Sequence, residues 1–264
     1  MLTVNTSFPL LTYSVVYFPT ESELRSAYAS LPSHSIVRVK QAPEPADGAR
    51  CVDVSPFYAI CLDLSRPIDD LFRATDATCR NAIRRAEKMA GRIAIRTGAE
   101  EIPAMVELHN ELARAKGHSG SLSPRLLSKY AGISDAFALY LDDRPMCAHF
   151  WLRDESRGRV RHFFSATTRL QSKEDSALSG ILNRYLHWHE IRKYKDEGFR
   201  LYDLGGFTDE ADAESSLAKF KLSFGAATIR EYDVTLASGM GKLAFRMYRM
   251  APRVQGYLRG ILPH

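Results

Sequence analysis

The 264-residue chain has no long hydrophobic run and only four cysteines. No window approaches the ~20 apolar residues that a transmembrane helix needs. The first basic residue is Arg25, so the apolar stretch FPLLTYSVVYF lacks the positive flank of a signal peptide. The cysteines form no C-x-x-C pair and show no zinc-site spacing with histidine. We therefore expect a cytoplasmic protein, with contact at most to the inner membrane surface, and no disulfide framework or structural metal.

Acidic residues are absent from 240–264, where the basic residues are Lys242, Arg246, Arg249, Arg253 and Arg259. Without these five, basic and acidic residues are equal at 31 each. An apolar stripe runs beside them: Leu243, Met247, Met250, Val254, Tyr257 and Ile261. Such a basic amphipathic segment either binds a polyanion, RNA or anionic lipid, or packs back on the protein as an ordinary terminal helix. Pro252 predicts a kink in it.

The first part of the sequence contains three short apolar runs, YSVVYF, SIVRVK and FYAICLDL, which predict strands. ESELRSAYASL between the first two predicts a helix, and 41–50 is a turn-rich loop. We interpret residues 1–68 as a truncated N-terminal α/β segment.

Helical periodicity begins at PIDDLFRATDATCRNAIRRAEKMAG, where a buried stripe lies beside a basic one formed by Arg80, Arg84 and Lys88. Gly91 is placed to cap this helix. The basic stripe is either a solvated helix face or a surface for nucleic-acid phosphate, and we take it as a candidate for the second. Two further helices are predicted over EEIPAMVELHNELARAKG and SPRLLSKYA.

Three strand signals follow, AFALYL, MCAHFWL and RVRHFFSAT, joined by the turn sequences DDRP and RDESRG. They predict an antiparallel meander whose third strand alternates Val160, His162 and Phe164 on one face. A helix over 174–197 comes next, with Ser172 and Asp175 resembling a capping box.

The last elements are the strand FRLYDLGGF, a short helix in SLAKFKLSFG and the strand ATIREYDVTL. This order predicts an α+β fold, a mixed and mostly antiparallel sheet with helices on both faces. We place the main domain at 69–236 and the basic amphipathic tail at 237–264.

Three motifs carry a resemblance to a known family: RNAIRRAEK (80–88), YDLGG (202–206) and FKLSFG (220–225). The element order resembles the GNAT acyltransferase fold, and the motifs resemble its Fem-type branch, the FemABX peptidyltransferases, over about residues 70–235. The resemblance implies transfer of an aminoacyl group from aminoacyl-tRNA to an amine of a cell-envelope precursor, with no permanently bound cofactor. Fem proteins usually have two GNAT-like units, whereas the first 70 residues here hold a fragment, so a small-molecule amine stays open as acceptor.

The donor can be argued from the residues. A GNAT enzyme that uses acyl-CoA holds pyrophosphate on a glycine-rich turn at a helix N-terminus. The stretch TTRLQSKED (167–175) offers Arg169 for donor binding but no glycine, and Glu174 and Asp175 repel a phosphate there. Aminoacyl-tRNA is therefore favoured, and the alternative is a CoA-dependent N-acyltransferase acting on an amino sugar or small amine.

Lys221 matches the lysine that, in the family, steadies donor phosphate or developing negative charge, and Phe220 would pack it in place. Acyl transfer passes through an oxyanion that a fixed cation stabilises by about 3 kcal/mol. The attacking amine needs a base, for which Asp203 is our candidate, although it could instead orient the turn at Gly205 and Gly206.

Other polar residues complete the predicted site. Tyr202, Gly205, Gly206 and Phe220 are candidates for substrate binding. His149 and His162 are more typical of core residues than of bases. His187 and His189 point to different helix faces, so they cannot share a metal ion. A third alternative is a non-catalytic GNAT-like scaffold that binds RNA or membrane.

Overall fold

A computed structural model describes residues 2–8, 11–117, 122–170 and 172–250. Ten strands lie in this part of the chain: β1 (Leu2–Phe8), β2 (Leu11–Tyr17), β3 (Ser35–Ala42), β4 (Cys51–Asp63), β5 (Ile93–Thr97), β6 (Ser134–Leu141), β7 (Arg144–Asp154), β8 (Arg159–Thr167), β9 (Leu201–Phe207) and β10 (Ala227–Ala237). The helices of the same part are α1 (Glu21–Ala29), α2 (Ile68–Ala74), α3 (Ala77–Glu87), α4 (Ile102–Ala115), α5 (Pro124–Leu127), α6 (Lys173–Asp196), α7 (Ser216–Leu222) and α8 (Met240–Met250).

The chain divides into two compact units. The first comprises Met1–Ala59, Gly206–Ser215 and Thr228–His264, and the second comprises Ile60–Gly205 and Ser216–Ala227. The first unit is therefore assembled from three separate stretches. The predicted segments 1–68, 69–236 and 237–264 divide the chain differently and stay predictions.

In the first unit the strands are ordered β1-β2-β3-β10-β4. β1 pairs antiparallel with β2, β2 parallel with β3, and β3 antiparallel with β10. The crossover from β2 to β3 is α1, which begins at a capping box: the Glu23 N–H donates to Thr20 Oγ1 (3.2 Å) and the Thr20 N–H to a Glu23 carboxylate oxygen (2.7 Å). α8 packs on β3 in this unit.

In the second unit the order is β4-β9-β8-β7-β6-β5. β5 to β8 pair antiparallel in sequence, which confirms the predicted meander, and β8 pairs parallel with β9. α4 packs on β7 and β8, and α6 contacts the same two strands as well as α3. The α+β class with a mixed, mostly antiparallel sheet is confirmed.

A β-bulge at Phe163 changes the faces of β8. Phe150 pairs with Phe164, and the adjacent Trp151 pairs with His162, so one extra residue of β8 lies between the two pairs. Successive residues of β7 point to opposite faces, and their partners must do the same. The alternation that placed His162 and Phe164 on one face is therefore wrong.

Two other local expectations need correction. α3 ends at Glu87 with Lys88 as its C-cap, and Gly91 lies in a separate 3₁₀ turn with negative φ, so Gly91 is not the cap. Ser172 does cap α6, since its Oγ accepts the Asp175 N–H (3.0 Å). The Asp175 carboxylate, however, accepts two hydrogen bonds of 2.9 Å from Arg144 instead of closing a capping box.

Two expected absences concern this part of the chain. Within the described ranges, no helix has both the length and the hydropathy to cross a bilayer. All four cysteines lie in these ranges and none is in a disulfide.

Candidate active site

The parallel ladder between β8 and β9 is short. Arg159, Val160 and Arg161 pair with Leu201, Tyr202 and Asp203. β8 then continues to Thr167 and β9 runs on through Leu204 and Gly205, outside that ladder. Backbone N–H and C=O groups of strands that part in this way can bind an extended, amide-containing molecule.

Asp203 closes the paired end of this ladder and is fully buried. Arg159 donates to its Oδ2 from Nη2 (2.7 Å) and Nε (3.2 Å), and the Gly205 N–H donates to its Oδ1 (2.7 Å). Both carboxylate oxygens are thus occupied. These contacts favour the structural alternative, in which Asp203 orients the glycine turn, while a role as base stays a prediction.

Glycine is required at Gly205 and at Gly206 for two different steric reasons. Gly205 has φ of +72°, in the region that disfavours side chains. A methyl group added there would lie 3.3 Å from Lys221 Nζ and 3.6 Å from the His162 carbonyl oxygen. At Gly206 an added Cβ would lie 1.8 Å from the Tyr58 carbonyl oxygen, so only glycine fits.

Lys221 lies near the end of the two-turn helix α7 and is half-buried. Burial lowers the pKa of its ammonium group to about 8; the Asp203 carboxylate opposes this shift and the Arg161 guanidinium adds to it. The side chain is thus a cation removed from most solvent, beside the Gly205 backbone where β8 and β9 part.

Aromatic rings fix the helix that carries Lys221. Phe224 is fully buried, and Phe220 meets it edge-on with ring centroids 5.5 Å apart. The Arg184 guanidinium lies 4.8 Å from the Phe220 ring centroid. Gly225 (φ +77°) ends the segment against Ala74, where an added Cβ would meet backbone and side chain at 2.8 Å. Phe220 and Phe224 thus fix the helix that carries Lys221, and the role of Phe220 in holding this lysine stays a prediction.

Three histidines form a cluster in the second unit: His149 on β7, His162 on β8 and His187 on α6. Their ring centroids are 4.2 Å (149–187), 4.8 Å (149–162) and 5.1 Å (162–187) apart. Burial, with the other histidines and Lys221, lowers the pKa of His162 and of His187 well below its ordinary value. The two rings are therefore neutral at physiological pH.

A buried hydrogen-bond network supports this histidine cluster. His149 Nδ1 lies 2.9 Å from Glu190 Oε1, and the Tyr202 hydroxyl lies 3.0 Å from Glu190 Oε2 and 2.8 Å from His187 Nδ1. Burial, followed by the Glu190 charge, raises the pKa of Tyr202. Tyr202, predicted to bind substrate, is thus a fully buried member of the network. His149 is satisfied, as expected of a core histidine.

The predicted basic surface is divided among several places. Arg80 donates to the carbonyls of Arg73 (3.0 Å) and Thr75, so its guanidinium closes the C-terminal end of α2. Arg84 lies over the Phe72 ring (5.6 Å), and both Arg84 and Lys88 are exposed on α3.

The other residues predicted to bind donor or nucleic acid are Arg169 and the basic residues of the C-terminal tail. Arg169 is exposed in the turn after β8. In α8, Lys242 is half-buried and Arg246 is exposed. The Arg249 side chain and Arg253 lie outside the described residues, as does Pro252.

The network of His149, His162, His187 and Glu190 was not predicted from the sequence as a unit. Its histidines are far apart in sequence, and the bulge at Phe163 is what turns His162 to the His149 face. The available signal was the spacing of His187 and Glu190, which places both on one face of α6.

Known proteins share this architecture. The family model of the acetyltransferase (GNAT) domain matches residues 73–221, more than half of the chain. The chain belongs to the GNAT acetyltransferase family. It is an acyltransferase by fold and family, and the matched region contains the β8–β9 ladder, the histidine cluster and Lys221. Among curated protein sequences, none matches significantly.

Solved structures give the fold in more detail. FemX is similar with a TM-score of 0.62 at 10% identity, over 93% of this chain and 85% of that one. The C-terminal domain of a candidate lysylphosphatidylglycerol synthetase from Agrobacterium fabrum has a TM-score of 0.56 at 11% identity, over 94% and 84%. L-PGS from Bacillus licheniformis has 0.52 at 12% identity, over 94% and 85%. At these identities the likeness shows a shared fold.

Proposed function

We propose that the GNAT acyltransferase moves an aminoacyl group from aminoacyl-tRNA to an amine and that Lys221 stabilises the negative charge formed during transfer. The observation that carries this proposal is the position of Lys221 Nζ, 3.3 Å from where a Gly205 Cβ would lie, at the point where β8 and β9 part. A cation held in a partly desolvated site stabilises an oxyanion more strongly than one in water.

The shape of the site supports a donor with an amide or ester close to Lys221. Beyond Arg161 and Asp203 the strands no longer pair with each other in the ladder, so their edges can hold an extended acyl group by backbone hydrogen bonds. Phe220 and Phe224 keep α7 rigid, and a rigid cation loses little entropy when the transition state forms. Asp203 then acts as a positioning residue that fixes Gly205.

The α6 N-terminus supports tRNA over CoA as the donor. The sequence 167–172 contains no glycine, and Glu174 stands exposed in the first turn of α6. Because Arg144 neutralises Asp175, one acid rather than two opposes a phosphate there. Charged tRNA would instead meet the exposed Arg84 and Lys88 on α3, each phosphate contact adding salt-dependent affinity.

The name of one structural neighbour points to lipid headgroups as a further class of acceptor. The product named for one of them, lysylphosphatidylglycerol, is an amino acid joined to a lipid headgroup. In this chain α8 exposes Met240, Leu243 and Met247 close to Lys242 and Arg246, a pattern typical of helices that lie on anionic lipid. We therefore include envelope precursors and amine-bearing lipids among the acceptors to be tested.

The experiment is a transfer assay with total charged tRNA, a panel of amines and mass spectrometry of the products. We expect a new amide that disappears after RNase treatment and falls about 100- to 1000-fold in Lys221→Ala. Lys219→Ala, an exposed lysine on the same helix, is the matched control. Product formation that resists RNase would contradict the tRNA donor.

Acyl-CoA is the second candidate donor, and the match to an acetyltransferase domain favours it. A calorimetric titration with acetyl-CoA distinguishes the two. Micromolar binding that Arg169→Ala weakens would support the CoA reaction, whereas the absence of saturable binding would support tRNA.

A further inference from the structure

The histidine cluster has the composition of a metal site that the acyl-transfer proposal does not use. His149, His162 and His187 can each offer one ring nitrogen, and the three nitrogens lie within 4.8 Å of one another. Imidazole nitrogen is a ligand that Zn²⁺, Fe²⁺, Co²⁺ and Ni²⁺ share. We propose that these histidines bind one divalent transition-metal ion of the Zn²⁺ class.

The three histidine rings need to move little to bind one ion. Two imidazole nitrogens bound to one tetrahedral Zn²⁺ at about 2.0 Å are about 3.4 Å apart, so separations of up to 4.8 Å close when each ring moves by less than ~1 Å. The His162 ring stands at 73° to the His149 ring and at 75° to the His187 ring. The three residues come from three elements, β7, β8 and α6, which converge on one point.

An unsatisfied atom at the centre is the second observation. His162 Nε2 is buried and, among the described residues, has no hydrogen-bond partner. A buried polar group left in this state costs about 1–3 kcal/mol. A metal ion would satisfy this nitrogen.

The contacts around the cluster are those that support metal-binding histidines in other proteins. His149 Nδ1 is held by the Glu190 carboxylate, and His187 Nδ1 is held by the Tyr202 hydroxyl. Partners of this kind fix the orientation of each ring. His149 Nε2 makes a hydrogen bond of 2.8 Å with Asn183 Oδ1, so an ion would replace this bond and the amide oxygen would become a fourth ligand.

The charges nearby oppose one another. Glu190 supplies a buried negative charge within the network, whereas Lys221 brings a positive charge close enough to act on His162 and His187, with Arg161 acting on His162 and Arg184 on His187. A three-histidine set with one carboxylate behind it matches known catalytic zinc sites in ligand type. His187 and His189 still point to different helix faces, and the ligands that join His187 come from β7 and β8.

The test uses the full-length protein freed of metal by a chelator, with no donor or acceptor present. We expect calorimetry to show one Zn²⁺ per chain and Co²⁺ to give visible d–d absorption typical of tetrahedral nitrogen ligation. Tyr202→Phe should weaken binding by roughly 10- to 100-fold, the effect of losing an orienting partner, and His162→Gln should weaken it more. His189→Gln, two residues from His187 on α6, is the matched control and should bind as the wild type does.

Two results would overturn the metal site: no saturable binding of Zn²⁺ or Co²⁺ by the wild type, or unchanged affinity in His162→Gln. Circular dichroism checks that each variant is folded. If His162→Gln does not fold, X-ray absorption of the Zn²⁺-loaded wild type decides, since three imidazole ligands support the site and oxygen ligands alone contradict it. Neither outcome depends on acyl transfer, so this inference and the proposed function fail separately.

Discussion

The two faces of the β7–β8 hairpin differ in chemistry although both are buried. The face toward α4 carries Phe150 and Phe164, whose ring centroids are 6.5 Å apart. The face toward α6 carries His149, Trp151 and His162, and two of its nitrogens, Trp151 Nε1 and His162 Nε2, have no hydrogen-bond partner among the described residues. The apolar face gains stability from burial, whereas the histidine face requires a hydrogen bond for each polar atom it buries. The histidine face is therefore the one on which a functional role is to be tested.

Truncating the apolar face should give the largest effect. Phe150→Ala removes a fully buried ring and leaves a cavity, so we expect the free energy of unfolding to fall by about 3–5 kcal/mol. Urea denaturation followed by circular dichroism measures it. A loss below ~1 kcal/mol would show that this face is not the main core of the second unit.

Removing the cation should change activity without changing the fold. Lys221→Ala deletes a half-buried ammonium group, and we expect the rate of acyl transfer to fall by about 100- to 1000-fold because one charge-stabilising group is lost. Burial disfavours the charged form of this lysine, so the substitution should lower the free energy of unfolding by no more than ~1 kcal/mol. The transfer assay and a thermal melt together measure both quantities.

Lys219→Ala serves as the control for Lys221→Ala because it removes an exposed lysine from the same helix. Equal losses of activity in the two variants would indicate a general requirement for positive charge on α7. In that case the contrast drawn between the apolar face and the histidine face of the hairpin would not extend to Lys221.

The sequence predicted the elements better than the site. Periodicity and turn residues gave the meander, the long helix α6 and the final strand, because these follow from local patterns. The histidine cluster depends on a bulge at Phe163, which adds one residue to a strand without any proline or glycine to mark it. Motif resemblance located Lys221, but the contacts that occupy Asp203 depend on Arg159, 44 residues away in the chain.

The pH dependence of transfer should show the charge of Lys221. Its ammonium is charged below a pKa of about 8 and neutral above it, so activity should fall about tenfold for each pH unit above that value. Lys221→Arg keeps the charge at all these pH values, and the ratio of wild-type to variant rates removes the titration of the acceptor amine. A ratio that stays constant from about pH 7 to pH 9.5 would contradict a catalytic charge at Lys221.

The smallest effect concerns the ion pair at the start of α6, at the edge of the same hairpin. Arg144 hydrogen-bonds the Asp175 carboxylate and lowers its pKa below 3.8, so the pair adds stability above this pH and loses it as the pH falls and Asp175 takes up a proton. Because the Arg144 side chain is half exposed, we expect Asp175→Asn to cost less than ~1 kcal/mol at neutral pH.

Glu174→Gln distinguishes the contribution of the Arg144–Asp175 ion pair to stability from that of the helix dipole. Both acids lie in the first turn of α6, where negative charge interacts favourably with the dipole, but Asp175 is the one bound by Arg144. Thermal melts of both variants should therefore show the larger loss for Asp175→Asn, and the difference should shrink as the pH falls and Asp175 takes up a proton. Equal losses would mean that the dipole accounts for the effect, and Asp175 would then count again as an acid that repels a donor phosphate.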